Sequence, residues 1–298
     1  TPDGLLLATD HYEPVGLGAG PAVLMRTPYS KGGAGSMIAG LFAWQFATHG
    51  YHVICQDCRG RFGSLDDNNP KFTPFLHEAE DGKATLEWIA AQPWSDGTIA
   101  MWGASYLGYC QWAAASTGEP HLKALAPLIT SSHLMSYPPN GFPLDLLLRW
   151  MFQMGSMDDG TLGMRERLKR INDGPYQDTF LKPAFAHLPL RTADELAIGH
   201  PDPMYREMAD ADAGHPYWQA ADHSAAVPQA PPACFTSGWY DLFLDDLLDD
   251  FLAQQAAGKR PYLTVGPWSH LEMGYLPVAF GEGLAWFDTY LKGRANKL

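Results

Sequence analysis

An α/β protein is what the sequence predicts: a mostly parallel sheet, helices on both faces, and an inserted helical cap. Three observations carry this. Strand-like apolar runs alternate with helical segments over residues 1–130. The alternation stops near Thr130, and residues 131–227 are instead rich in Pro, Met, Asp and His and poor in strand-like runs. It then resumes at Ala233 and continues to the last helix-forming stretch.

In chain order, Ala22 to Arg26 is a short apolar run stopped by Thr27-Pro28, a strand and its end. Met37 to His49 has helical spacing and closes on Gly50, which suits the position just past a helix. Tyr51 to Cys55 is the next strand. Glu78 to Ala91 is a helix whose acidic first turn complements the helix dipole. A strand at Thr98–Trp102 and a helix at Tyr106–Thr117 follow, the helix so poor in charge that it must be buried. Strand Leu122–Leu128 comes next. Repeated strand–helix–strand units dictate parallel pairing with both faces covered. In the insertion, Leu144–Met154 and Gly163–Ile171 have helical spacing, and Ala193–Ile198 and Asp202–Ala211 are candidate short helices. The strand signal returns at Ala233–Ser237. A helix from Leu242 to Ala257, a strand at Tyr262–Val265 and a final helix through Leu284 to Leu291 complete the chain. The expected division is a core of residues 1–130 and 228–298 with a cap of residues 131–227.

Composition narrows the function classes. The chain has 298 residues, with 20 Lys+Arg against 33 Asp+Glu and a net charge of −13. At 46% hydrophobic and 18% charged it is globular. An acidic chain without a Lys/Arg cluster is not expected to bind nucleic acid. Its uncharged stretches are broken by Gly, Pro or His, so no membrane span is expected. Thr1-Pro2-Asp3-Gly4 has neither a basic start nor an apolar signal core, and no Met, so a trimmed chain is expected. Cys55, Cys58, Cys110 and Cys234 are too few for a disulfide scaffold, and reduced thiols suit a cytoplasmic protein. Cys55-Gln-Asp-Cys58 has the spacing of half a zinc site, but no second half exists. The pair reads as small buried thiols at a strand end, and no metal or other cofactor is expected.

The sharpest local signal is Met101-Trp102-Gly103-Ala104-Ser105-Tyr106-Leu107-Gly108. An apolar strand runs into Gly-x-Ser and a helix starts at once, the layout of a nucleophile elbow. Small residues are needed around so tight a turn, and the helix N-terminus aims backbone N–H groups at developing negative charge. Leu107 departs from the usual Gly two residues after the serine. The other reading of Ser105 is a helix N-cap. A serine nucleophile needs a base, and the base an orienting acid. The order Ser, Asp, His is supplied by Asp241 and His270, each in a loop just past a strand. Asp241 reads alternatively as a helix cap and His270 as a turn residue. His11, His49, His52 and His77 precede the serine, His121 starts a strand, and His133, His187, His200, His215 and His223 fall in the expected cap. Asp245, Asp246, Asp249 and Asp250 alternate with Leu and Phe as the wet face of a helix.

Several stretches together resemble the cocaine esterase / X-Pro dipeptidyl-peptidase family of serine hydrolases, within the α/β-hydrolase superfamily. They are Asp3–Tyr12, Arg26-Thr27-Pro28-Tyr29-Ser30-Lys31, Gln56–Arg61, Glu78–Gly82, Trp88–Gly97, Gly103–Trp112, Gly238-Trp239-Tyr240-Asp241 and Val265–His270. The resemblance implies an α/β-hydrolase fold, a triad of Ser105, Asp241 and His270, and an oxyanion hole from the Tyr106 backbone N–H and the Tyr29 hydroxyl. Asp57-x-Arg59-Gly60 is expected to shape its loop. Relatives usually carry a C-terminal jelly-roll domain, which is expected to be absent here. An apolar patch left by its loss would favour a homo-oligomer. Leu107 replaces an acid used by relatives that hydrolyse α-amino acid esters.

The expected activity is hydrolysis of small-molecule carboxylic esters through an acyl-enzyme on Ser105. The alternatives are amide or peptide cleavage of the X-Pro dipeptidyl-peptidase type, and acyl transfer. Phe142, Leu146, Trp150, Met151 and Met154 of the cap are candidate pocket residues or, equally, packing residues. Trp239 and Trp268, beside the acid and the base, are further pocket candidates.

Overall fold

A computed structural model of the protein describes residues 1–32, 37–65, 72–133, 143–211, 215–295 and 298. The elements are β1 (Thr9–Tyr12), β2 (Gly20–Thr27), α1 (Met37–Thr48), β3 (His52–Asp57), α2 (Glu78–Ala90), β4 (Ser95–Ala104), α3 (Tyr106–Ala115) and β5 (Leu122–Leu128). Six helices follow: α4 (Leu144–Asp158), α5 (Met164–Asn172), α6 (Gly174–Phe185), α7 (Ala193–Ile198), α8 (Pro203–Asp210) and α9 (Pro216–Ala220). The chain ends with β6 (Cys234–Tyr240), α10 (Leu244–Ala256), β7 (Tyr262–Ser269) and α11 (Leu276–Lys292).

The seven strands form one sheet in the order β1-β3-β2-β4-β5-β6-β7. β1 runs antiparallel to β3, and every other pairing is parallel. β2 and β3 are buried along their whole length because helices cover both faces. Alternation sends Val23 and Met25 to one face, where they meet Phe42 and Phe46 of α1 and Trp286 and Phe287 of α11. Arg26 has the other parity and meets α2, through Glu78.

The structure divides into two compact units: Thr1–Lys71, Phe75–Leu134 and Ala221–Leu298 form one, and Phe72–Pro74 with Met135–Ala220 the other. The second is all helix among its described residues. On α4, Leu147, Leu148, Met151 and Phe152 form its buried stripe at helical spacing. Asp173 and Asp202 cap α6 and α8 by accepting the N–H of Tyr176 and Tyr205.

Three elements differ from expectation. β1 has no apolar alternation; its ladder to β3 pairs Thr9 with Gln56 and Tyr12 with Val53. α6 starts with Gly-Pro and contains Pro183, which read as breaks in sequence. On α10 the expected wet face is half wrong: Asp245 and Asp249 are exposed, but Asp246 and Asp250 are buried. Asp250 is taken up by Ser132, whose N–H and hydroxyl donate to it at 2.8 and 2.6 Å.

Candidate active site

β2 connects to β3 on one side while β4 takes its place on the other, so strand order reverses between β2 and β4. Parallel sheets bind ligands beyond the strand C-termini at such a switch point. The loops carrying Tyr29 and Ser105 leave these two neighbouring strands.

Ser105 turns from β4 into α3 with φ 55° and ψ −121°, a conformation that strains any residue with a Cβ. The turn closes because Gly103, at φ 152°, has no Cβ; one would lie 2.4 Å from Cβ of Leu107. The Ser105 N–H donates to the Leu128 carbonyl at 2.9 Å, and its own carbonyl accepts from Thr130 Oγ1 at 2.8 Å. The hydroxyl makes no capping bond to the helix. It lies 3.0 Å from His270 Nε2, to which it can donate.

Asp241 and His270 follow adjacent strands. β6 and β7 run further than the sequence suggested, to Tyr240 and Ser269, and these two residues pair. Asp241 and His270 therefore leave the sheet side by side. The register shift just before them depends on Gly238, where a Cβ would stand 2.0 Å from the Trp268 carbonyl oxygen. His270 Nδ1 lies 2.8 Å from Asp241 Oδ2, and the other Asp241 oxygen accepts the Phe243 N–H at 2.8 Å. The Asp241 carboxylate is fully buried, while the imidazole keeps 18% exposure. The network assigns the tautomer, with the proton on Nδ1 and Nε2 free to accept. The Phe243 ring meets the imidazole edge-on at 5.4 Å, a contact no sequence pattern announces.

Tyr106 opens α3, so its backbone N–H belongs to the first turn, whose N–H groups face out of the helix end. Its side chain goes the other way, into the core. Tyr29 is half buried, in a loop braced on three sides. Its N–H donates to Thr27 Oγ1 at 3.0 Å, Lys31 N–H donates to Asp57 at 2.6 Å, and Arg61 Nε donates to the Pro28 carbonyl at 2.8 Å. Asp57 thus shapes two loops at once, because its second oxygen accepts the Gly63 N–H at 3.1 Å. Burial pushes up the Tyr275 phenol, and Asp241 and Tyr29 lie near enough to push it further.

Leu146, Trp150, Met151 and Met154 belong to α4 of the helical unit, where Met151 and Met154 are buried. Trp150 meets Phe72 edge-on. Trp239 is 63% exposed at the end of β6. Trp268 packs on the apolar core, its ring filling the space over Gly266. Phe142 lies outside the described residues.

Cys55 and Cys58 do not face one site: Cys55 contacts Met25 Sδ at 3.7 Å, and Cys58 contacts Cys110 at 4.0 Å. Cys58, Cys110 and Glu78 place donor atoms within 4.8 Å of one another. A cation there would compete with Arg26, which already holds Glu78 Oε2 at 2.7 Å. Burial also pushes both thiols up, away from the thiolate form a metal needs.

A family profile described as X-Pro dipeptidyl-peptidase (S15 family) matches residues 3–272. The chain belongs to this family. It is 33% identical to a cocaine esterase of Rhodococcus sp. (strain MB1 Bresler), over 99% of this chain and 54% of that protein. This S15 chain thus spans about half the length of that curated relative. An aminopeptidase from a marine sediment archaeon superposes with a TM-score of 0.69 at 19% identity, covering 99% of this chain and 54% of its own. A CocE/NonD family hydrolase from Staphylococcus aureus gives 0.65 at 20% identity, covering 100% of this chain and 50% of its own. Together with the parallel sheet these likenesses establish the α/β-hydrolase type of fold for this S15 member. Among the described residues no helix is long and apolar enough to cross a membrane.

Proposed function

We propose that this protein is a serine hydrolase of small carboxylic esters, with Ser105 as nucleophile, His270 as general base and acid, and Asp241 as orienting acid. One observation carries the reading: the unbroken relay from Ser105 Oγ to His270 Nε2 at 3.0 Å and from Nδ1 to Asp241 at 2.8 Å, set on a strained turn. In this reading the Ser105 oxygen attacks the ester carbonyl carbon as its proton passes to Nε2. The carbonyl oxygen becomes an oxyanion, held by the Tyr106 N–H and the Tyr29 hydroxyl. Collapse expels the alcohol, which takes the proton from Nε2, and leaves an acyl ester on Ser105. Water, deprotonated by the same nitrogen, then releases the acid and restores the serine. Asp241 holds the tautomer and the imidazolium charge throughout. Residues 135–220, inserted between β5 and β6, are read as the cap that selects substrate, and the buried reduced thiols favour a cytoplasmic site of action.

The ester reading is favoured by the 33% identity to a cocaine esterase. Amide cleavage is kept as a second reading because the family bears a peptidase's name. The test is labelling with a fluorophosphonate probe, followed by p-nitrophenyl esters and Pro-p-nitroanilides. Labelling of the wild type, its loss in Ser105→Ala, and turnover of the esters are the expected results. A folded wild type that does not label would remove the serine-hydrolase reading.

A further inference from the structure

The triad accounts for the residues that touch Ser105, but a buried charged network on the far side of the same turn has no part in it. Arg26 is fully buried, Glu78 is 2% exposed, and they meet at 2.7 Å. Arg26 also donates to the Glu78 carbonyl at 3.0 Å and to Gln56 Oε1 at 2.9 Å. The other Glu78 oxygen, Oε1, accepts the Tyr106 hydroxyl at 2.8 Å. That hydroxyl in turn accepts the Phe75 N–H at 2.8 Å, and the Tyr106 ring stacks on Phe75 at 5.1 Å. Cys110, one turn further along α3, reaches Glu78 Oε2 at 3.7 Å.

We infer that Glu78, paired with Arg26, is a positioning residue for the Tyr106 backbone N–H, gripping the first turn of the helix that bears the oxyanion donor. This deepens the serine-hydrolase reading and rests on it. The network ends on the residue next to the nucleophile, whose phenol is bound on two sides and whose peptide N–H can then take one direction only. A charged acceptor makes a shorter and stronger bond than a neutral one, and inside the protein it is not screened. For stability alone such a network is a poor investment, since a buried ion pair is often matched by apolar residues of similar size. Its placement instead suits an oxyanion donor, which must be aimed before charge develops. Burial and the Glu78 charge both push the Tyr106 phenol up, so it remains a donor at any working pH.

The decisive variant is Tyr106→Phe, which keeps the ring, the backbone N–H, the triad and the Glu78–Arg26 pair. It is compared with Glu78→Gln on a p-nitrophenyl ester. A kcat loss of roughly tenfold is expected in both, below the 10²–10³ that follows complete loss of an oxyanion donor. KM should stay within about twofold and the pH–rate profile should be unmoved, because the lost interaction belongs to the transition state. Fluorophosphonate labelling should persist but slow. A Tyr106→Phe enzyme with wild-type kcat, or with the loss confined to KM, overturns the proposal. So does a Tyr106→Phe chain without a cooperative melt, because the phenol would then be holding the fold. Glu78→Gln removes the 2.7 Å ion pair of Arg26 and leaves the 3.8 Å one to Asp81; should it unfold, Tyr106→Phe decides alone. A wild type that fails to label sinks the hydrolase reading first, which separates the two failures.

Discussion

Gly108→Ala tests the elbow where backbone geometry is least forgiving. An alanine Cβ at this position would lie 2.3 Å from Thr130 Cγ2 and 2.7 Å from Thr130 Cβ. Rotating the threonine relieves the first contact only, and it breaks the 2.8 Å bond from Thr130 Oγ1 to the Ser105 carbonyl. The second contact is fixed by the backbone just past the end of β5, so α3 must retreat by about 1 Å, the distance from 2.7 Å to an ordinary carbon–carbon contact. Ser105 is one turn away on the same segment and moves with it. A misplacement of this size costs on the order of 10² in rate. Stability should respond far less. Alanine gains about 1 kcal/mol over glycine inside a helix, while overpacking a core costs about 1–3 kcal/mol. The expected result is a fall of about a hundredfold in kcat/KM on a p-nitrophenyl ester, with net destabilisation of roughly 0–2 kcal/mol by chemical denaturation. Gly281→Ala is the control: it is an exposed position in α11 with nothing within 4 Å of the added carbon, and it should stabilise slightly. If Gly108→Ala keeps activity within about twofold of the wild type, the turn is not rigidly coupled to Thr130 and the reasoning fails.

Three further outcomes are expected. Burial pushes Asp250 from an ordinary 3.8 up to about 7, with Ser132 and His133 opposing and Asp246 adding to the rise. The folded state then holds a proton that the unfolded state has lost, so this group subtracts stability as pH climbs from about 4 to 7. Asp250→Asn, whose amide can bond Ser132 in the same place, should therefore gain on the wild type by about 2–4 kcal/mol more at pH 8 than at pH 4.5. Equal gains in denaturant melts at the two pH values would refute it. Tyr29→Phe should lower kcat by about 10²–10³ with little change in fold or KM, as loss of an oxyanion donor does; a drop of less than about threefold would remove Tyr29 from the reaction. Cys55, Cys58, Cys110 and Cys234 are all buried, so a thiol reagent should titrate none in the native protein and four after denaturation. Rapid native labelling of any of them would contradict the packing.

The parts legible in the sequence are those in which chemistry sits directly on a strand end. Ser105, Asp241 and His270 each follow an apolar run that reads as a strand of a parallel sheet, and a parallel sheet aligns such ends on one edge. Chain order supplied the roles. What the strands' true lengths added was the pairing of Tyr240 with Ser269, which turns a shared edge into a hydrogen bond. The unread parts depend on partners far along the chain. Glu78 in a first helical turn is locally a dipole complement, and that reading is correct as far as it goes. Its bonds to Arg26 and Tyr106, 52 and 28 residues away, exist only because α2 packs on α3 above β2. Asp246 and Asp250 fail the same way: spaced four apart among leucines they pattern as solvent-facing, and only the Ser132–His133 turn after β5 makes their burial tolerable. Apolar periodicity reports which face of an element is covered. It is silent on a buried charge, because the charge is paid no local compensation and is neutralised by whatever the fold brings to it. Ser105, Asp241 and His270 were readable because they lie where strands end, and Glu78 and its partners were not because they lie where two helices happen to meet.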